Sequence, residues 1–268
     1  MATSRKSLSL SSHLDPVRQQ RAASFGSVAA AYDQFRPGYP DQLFEDLLEL
    51  APGNRVLDVG SGTGRAAMGF ASRGAHVVGI EHDPEMAAVA SERGREFDLQ
   101  MVVSRFEDYH PEPDSFDLVT CAQAWHWIDP IRGEAVAADA LVPNGALCIW
   151  WNRPAHFDGP LWETIHQIYQ QYAPALDRMV HLRERNYDAP IPEATAAFSS
   201  WVQSVYAWNQ RYTAEEYVGF LGTHSDHILL PEEQRTPLLV AVRDAIDAAG
   251  GTLDYAYRTL LSVARKKI

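Results

Sequence analysis

The chain has 268 residues, 46% apolar and 10% aromatic, which supplies one large domain with a sizeable core and excludes global disorder. Its 23 basic residues face 35 acidic ones, and the resulting charge of −12 repels phosphate backbones, so nucleic acid is not the expected partner. No apolar run reaches membrane-spanning length and the N-terminus lacks the apolar stretch of a secretion signal, so the cytosol is the expected compartment, with no membrane partner.

Residues 1–24, rich in Ser, Arg and Gln, read as a mobile arm, with Asp15-Pro16 as a short helix start. Structure is expected from Phe25 onward. Leu43, Phe44, Leu47 and Leu48 share one face of a helix that follows Pro40 and stops at Pro52-Gly53. An alternation then sets in. Strands are expected at Arg55–Val59, His76–Glu81, Leu99–Val103, Phe116–Ala122 and Gly145–Trp151. Helices fall between them at Arg65–Ser72, from Asp83-Pro84 to about Gly94, and at Arg132–Leu141. That rhythm predicts an α/β fold with a parallel sheet covered on both faces. Cys121 and Cys148 lie in two of the strands and read as reduced core residues.

Residues 152–200 contain no expected strand. Asp158-Gly159-Pro160 opens a helix with Leu161, Ile165, Ile168 and Tyr172 on one side, ended by Pro174. Strands return at Val202–Tyr212 and Leu253–Val263, around helices at Ala214–Leu221 and Glu232–Ala249. The expected organisation is therefore an arm (1–24), a core preceded by a lid (25–151), an inserted helical cap (152–200) and a C-terminal completion of a seven-stranded, mostly parallel sheet (201–268).

The segment Asp58-Val59-Gly60-Ser61-Gly62-Thr63-Gly64-Arg65 is the most informative. Glycines after a strand let the backbone turn sharply and approach a ligand, and the next helix offers free N–H groups. A dinucleotide loop of the form GxGxxG requires glycine where Arg65 stands. Asp58, two residues before the first glycine, suits a ligand ammonium. Glu81, at the end of the second strand, suits ribose hydroxyls. Together with Val77–Glu81, this segment resembles motifs I and II of the class I S-adenosylmethionine (SAM)-dependent methyltransferases, small-molecule branch, similar to the trans-aconitate methyltransferase-like proteins. Phe25-Gly26 through Tyr32, Arg36–Pro40, Trp125–Asp129 and Tyr255–Arg265 extend the resemblance, which is good over 25–151 and looser over 200–268.

The resemblance implies a Rossmann-like fold and SAM as cofactor. Gly60, Ser61, Gly62 and Gly64 would hold the methionine part, with Asp58 near its ammonium, and Ala122 would also contact the cofactor. Glu81 would bind the ribose, His82 and Met86 would flank the adenine, and Arg105, Phe106 and Glu107 would meet its edge. Aspartate is common in the family where Arg105 stands. Tyr32, Arg36 and Tyr39 would close over the cofactor.

Methyl transfer needs alignment, exclusion of water and, for some acceptors, a base. His126 is the candidate general base, since its reference pKa suits proton removal near neutrality. All seven tryptophans follow residue 124. Tyr39, Trp127, Trp151, Asn152, Trp162 and Tyr169 are the expected acceptor contacts, with His156, His181, Tyr187, His224 and His227 as weaker candidates. His224-Ser225-Asp226-His227 lacks a third clustered ligand, so no metal is expected. The Asn/Asp-Pro-Pro-aromatic run of DNA-base and protein-glutamine methylases is missing where Ala122–Trp125 stands. The expected partner is a small-molecule acceptor, methylated on O, N or C. A cyclisation steered by bound SAM is the alternative, and a homodimer is left open.

Overall fold

The structure is a computed structural model, and it describes residues 29–155, 158–176 and 196–267. The expected arm at 1–24, Phe25-Gly26, His156, His181 and Tyr187 lie outside the described residues. Two helices precede the sheet, α1 (Ala29–Phe35) and α2 (Asp41–Leu50). The second buries Leu43, Phe44 and Leu47, one stripe at helical spacing.

The alternating core follows as β1 (Arg55–Val59), α3 (Arg65–Ala71), β2 (His76–Glu81), α4 (Pro84–Arg93), β3 (Leu99–Val103), β4 (Phe116–Ala122), α5 (Pro130–Ala140) and β5 (Leu141–Pro154). Helices α4 and α5 begin in the same way. Asp83 accepts hydrogen bonds from the N–H groups of Glu85 and Met86, and Asp129 from those of Ile131 and Arg132, each with proline at the first helical position. After β5 come α6 (Pro160–Tyr172), β6 (Val202–Thr213), α7 (Ala214–Gly222), α8 (Ser225–Ile228), α9 (Glu232–Ala248) and β7 (Thr252–Arg265).

The seven strands lie in the order β3-β2-β1-β4-β5-β7-β6. Strands β1 to β5 are parallel, whereas β7 runs antiparallel to both β5 and β6. Chain order reverses between the neighbours β1 and β4, and a crevice opens at such a switch point beyond the carboxyl ends of the strands. One face of the sheet packs on α2 and α3 through Leu43, Phe70 and Trp150. The opposite face packs on α5 through Leu57, Val119, Ala137 and Ile149. A third cluster joins α6, α7 and α9 to the ends of β6 and β7 through Trp162, Ile165, Tyr217, Val242 and Tyr255. Both cysteines are free and buried. No helix among the described residues is long and apolar enough to cross a membrane.

Strand five differs from the sequence expectation at both ends. Leu141 already pairs with Phe116, the chain then bulges out, and pairing resumes at Ala146 opposite Leu118. Asn144 takes φ 67° inside this bulge. At the far end Asn152, Arg153 and Pro154 stay in register with Thr259, Arg258 and Tyr257, so the sheet enters the segment read as cap. A bridge from Phe198 to Lys266 brings the end of that segment back to the sheet as well. Pairing with the long β7 holds residues whose own pattern is too irregular to announce a strand.

Candidate active site

The glycine loop after β1 is held by the end of β2. Gly60 and Ser61 donate their N–H groups to the Ile80 carbonyl at 2.9 and 3.1 Å. The Glu81 carboxylate, 6% exposed, accepts from the Gly62 N–H at 2.9 Å through Oε2 and from the Asp83 N–H at 2.9 Å through Oε1. His82 Nδ1 lies 2.8 Å from Oε1. Burial works against ionisation of Glu81, but the His82 bond, the two N–H donors and the His82 charge outweigh it and hold the pKa below its ordinary value.

Two clefts meet at Gly60. The first, of about 490 Å³, is walled by the glycine loop, Asp58, Arg65 and Ala122–Gln123, and by Tyr32, Arg36 and Tyr39 from the segment before the core. The second, of about 460 Å³, is walled by Ile80, His82, Ser104, Arg105, Phe106, Glu107, Trp127 and Ile128.

The polar atoms of the first cleft are incompletely satisfied. Asp58 is 1% exposed; its Oδ1 accepts from the Thr120 hydroxyl at 2.8 Å, while Oδ2 is buried with no hydrogen-bond partner. Burial, aided by the charge of Glu81 and opposed by the Thr120 hydrogen bond, pushes its pKa up to about 6. Arg36 Nε and Arg65 Nε are also buried without partners. An orphaned carboxylate oxygen and two orphaned guanidinium N–H groups around one cleft are complementary to a free amino acid, whose ammonium and carboxylate would satisfy them. The methionine end of SAM is such a group, and the residues present fit it.

The segment before the core is tied down over this cleft. Arg36 Nη2 donates to the Thr223 carbonyl at 2.9 Å, and its guanidinium lies over the rings of Tyr32 and Phe220. Arg65 donates to the Asp33 carbonyl, and the Asp33 carboxylate pairs with Arg93. Tyr39 meets Trp150 edge-on at 5.6 Å, and Asn152 Nδ2 donates to the Gly38 carbonyl at 3.0 Å.

Several expected site residues are therefore brought together: Tyr32, Arg36, Tyr39, Asp58, Gly60, Ser61, Gly62 and Ala122 in one cleft, and His82, Arg105, Phe106 and Glu107 in the other. Gly64 caps α3 behind the loop in the left-handed conformation, and Met86 is buried in α4. Trp127, read as an acceptor contact, lines the second cleft. His126, on a one-turn 3₁₀ helix (Trp125–Trp127), is exposed against the Trp127 ring and lines neither cleft.

The remaining acceptor candidates pack inside the protein. Trp151 joins the α5-side core, and Trp162 meets Tyr217 and Tyr255 edge-on. The Asn152 amide is engaged at both ends, since its Oδ1 accepts from the Thr259 hydroxyl at 2.7 Å. Apolar burial of ~1.5–3 kcal/mol per large side chain explains why an aromatic-rich rim is drawn into cores instead of lining a pocket. Tyr169 donates from its hydroxyl to His227 Nε2 at 2.7 Å, and His227 Nδ1 meets Asp226 at 2.8 Å. Histidine 227 is thus used within the core, and no metal cluster exists among the described residues. Tyr169→Phe removes the donor to a ring nitrogen that is 1% exposed. The expected cost is about 1–3 kcal/mol, read as a lower thermal midpoint with unchanged SAM affinity.

Sequence reasoning missed Arg65 and Gln123 as cleft residues. Arg65 had a signal, as the first helical residue after the glycine loop. Gln123 had none, because its role depends on a backbone angle.

The fold, the strand order and a cleft shaped for a charged amino acid define a nucleoside-linked amino-acid binder of the methyltransferase type. Comparison with known proteins agrees. The family model described as "Methyltransferase domain" matches residues 57–149. An uncharacterized methyltransferase of Mycobacterium tuberculosis is 31% identical over 229 residues, 85% of this chain and 88% of that one. A ubiquinone biosynthesis O-methyltransferase of Xanthomonas campestris is 40% identical over 100 residues, 36% of this chain and 42% of that one. A solved structure from Anaeromyxobacter dehalogenans, named as a type II methyltransferase, superimposes with a TM-score of 0.60 at 25% identity, over 87% of this chain and 97% of that one. The chain belongs to the class I SAM-dependent methyltransferases.

Proposed function

We propose that this enzyme transfers the SAM methyl group to a small-molecule acceptor, on O, N or C, as in the trans-aconitate methyltransferase-like branch. The observation that carries the cofactor's placement is the set of three buried, partnerless atoms around the first cleft, Asp58 Oδ2, Arg36 Nε and Arg65 Nε. The methionine end lies there, with its ammonium at Asp58 and its carboxylate at Arg36 and Arg65. The adenosine lies in the second cleft, with Glu81 at the ribose and His82, Phe106 and Trp127 around the base. A small acceptor is supported by the charge of −12 and by the biosynthetic name of the Xanthomonas relative. Incubation with methyl-labelled SAM and a metabolite extract tests it: label should appear in a low-mass product. Label recovered only in protein or nucleic acid contradicts the proposal.

Affinity for the cofactor should depend on acid. Burial pushes the Asp58 pKa up to about 6, and a bound ammonium favours its ionised form. Binding is then at full strength above pH 6 and weakens below it, where the proton must first leave. S-adenosylhomocysteine should bind about tenfold more weakly at pH 5 than at pH 7. Calorimetry should show this slope flattened in Asp58→Asn.

His126 stands outside both clefts, so alignment by the cleft carries catalysis. His126→Ala should lower kcat by less than about tenfold, whereas a general base would lose roughly 10²–10⁴. An acid limb of the pH–rate profile that vanished in the variant would restore His126 as the base.

A further inference from the structure

Three non-glycine residues among the described ones hold positive φ: Asp114 at 53°, Gln123 at 61° and Asn144 at 67°. Asp114 and Asn144 are exposed and of the side-chain types that tolerate the left-handed region. Gln123 is neither. It follows β4 at the switch point of the sheet and is half-buried. Its N–H donates to the Trp150 carbonyl at 2.9 Å, which extends the β4–β5 ladder and fixes the backbone there. A longer side chain in this conformation costs free energy, and such strain persists where the surroundings enforce it, often at functional sites.

The turn carrying Gln123 rests on the glycine loop. A Cβ added at Gly60 would stand 2.6 Å from Ala124 Cβ, so the two turns are in contact with no side chain between them. Gln123 lines the first cleft together with Gly60, Ser61 and Gly62. Its carboxamide makes no hydrogen bond among the described residues. Charged groups serve the two ends of the methionine moiety, Asp58 for the ammonium and Arg36 and Arg65 for the carboxylate. A neutral amide fits the remaining stretch of the cleft, where the sulfonium and its methyl lie.

We propose that the Gln123 side-chain oxygen faces the transferring methyl group of bound SAM. The strained backbone is what presents the amide to the cleft. The inference rests on the SAM site and is independent of which acceptor is methylated.

Sinefungin tests it, because that S-adenosylhomocysteine analogue carries an amine where the methyl group stands. Calorimetry on the full chain should show Gln123→Gly losing about tenfold or more in sinefungin affinity, the worth of one hydrogen bond to a charged amine. S-Adenosylhomocysteine, which has nothing at that position, should change by less than about threefold, within the effect of remote packing. The thermal midpoint should hold or rise, since glycine is at ease at positive φ. Gln123→Asn also tolerates that conformation but is one methylene shorter, and should show the same selective loss. Equal losses for both ligands would place Gln123 at the methionine end and overturn the proposal. An unchanged ratio, with or without a lower midpoint, would overturn it as well.

Discussion

Gly62→Val should abolish binding of SAM and S-adenosylhomocysteine, with a loss above about 100-fold, or more than ~2.7 kcal/mol. Gly62 sits at φ 56°, and a Cβ placed on it meets nothing within 4 Å, because that space is the cleft. The branched side chain would fill the path by which the ligand reaches the loop. Backbone strain of ~1–2 kcal/mol accompanies any such substitution and lowers stability by itself. Gly74→Val separates the two effects. It has φ 82° and equally open surroundings, but lies in the turn between α3 and β2, away from both clefts. Calorimetry beside thermal melts should show both valine variants destabilised and only Gly62→Val unable to bind. Near-normal binding by Gly62→Val would remove the glycine loop from the site.

Glu81→Ala should weaken SAM binding by about 100-fold, roughly 3 kcal/mol, near the upper range for removing one charged hydrogen-bonding group. The carboxylate has two duties. In the proposed complex it is the acceptor offered to the ribose, and it fixes the loop through Gly62 N–H and the start of α4 through Asp83 N–H. Removing it leaves both donors without their partner, so a lower melting midpoint should accompany the weaker binding. Glu81→Gln keeps the shape but turns an NH₂ toward one of those donors, and should fall between wild type and alanine. An alanine variant with unchanged affinity would show that the ribose lies elsewhere.

Much of this was legible in the sequence. Strand and helix positions from Arg55 to Ala122 follow from apolar runs, the Asp-Pro start of α4 and the glycine loop, all of which act locally. The reading weakened where distant partners decide. Leu141 and Asn152–Pro154 join the sheet because Phe116 and β7 pair with them. The cleft residues Asp58, Gly60 and Gly62, and Glu81 that holds the loop, could be found because the loop geometry demands those types at those spacings. Trp151, Trp162 and Tyr169 could not be sorted into pocket or core, since the same aromatic character serves either. Arg65 entered the reading only as the residue that breaks a dinucleotide pattern; its buried, partnerless Nε became visible when the Asp58 and Arg36 side chains stood around the same cleft.

In the proposed complex SAM spans both clefts, with its amino-acid end at Asp58, Arg36 and Arg65 and its base at His82, Phe106 and Trp127. A crystal structure of the complex with S-adenosylhomocysteine tests this most directly. It should show the carboxylate bonded to the two arginines, the ammonium at the Asp58 carboxylate, the ribose hydroxyls on Glu81 and the adenine beside Trp127. A ligand bound in the reverse direction, or with its carboxylate turned to solvent while Arg36 Nε and Arg65 Nε stay unpartnered, would contradict it.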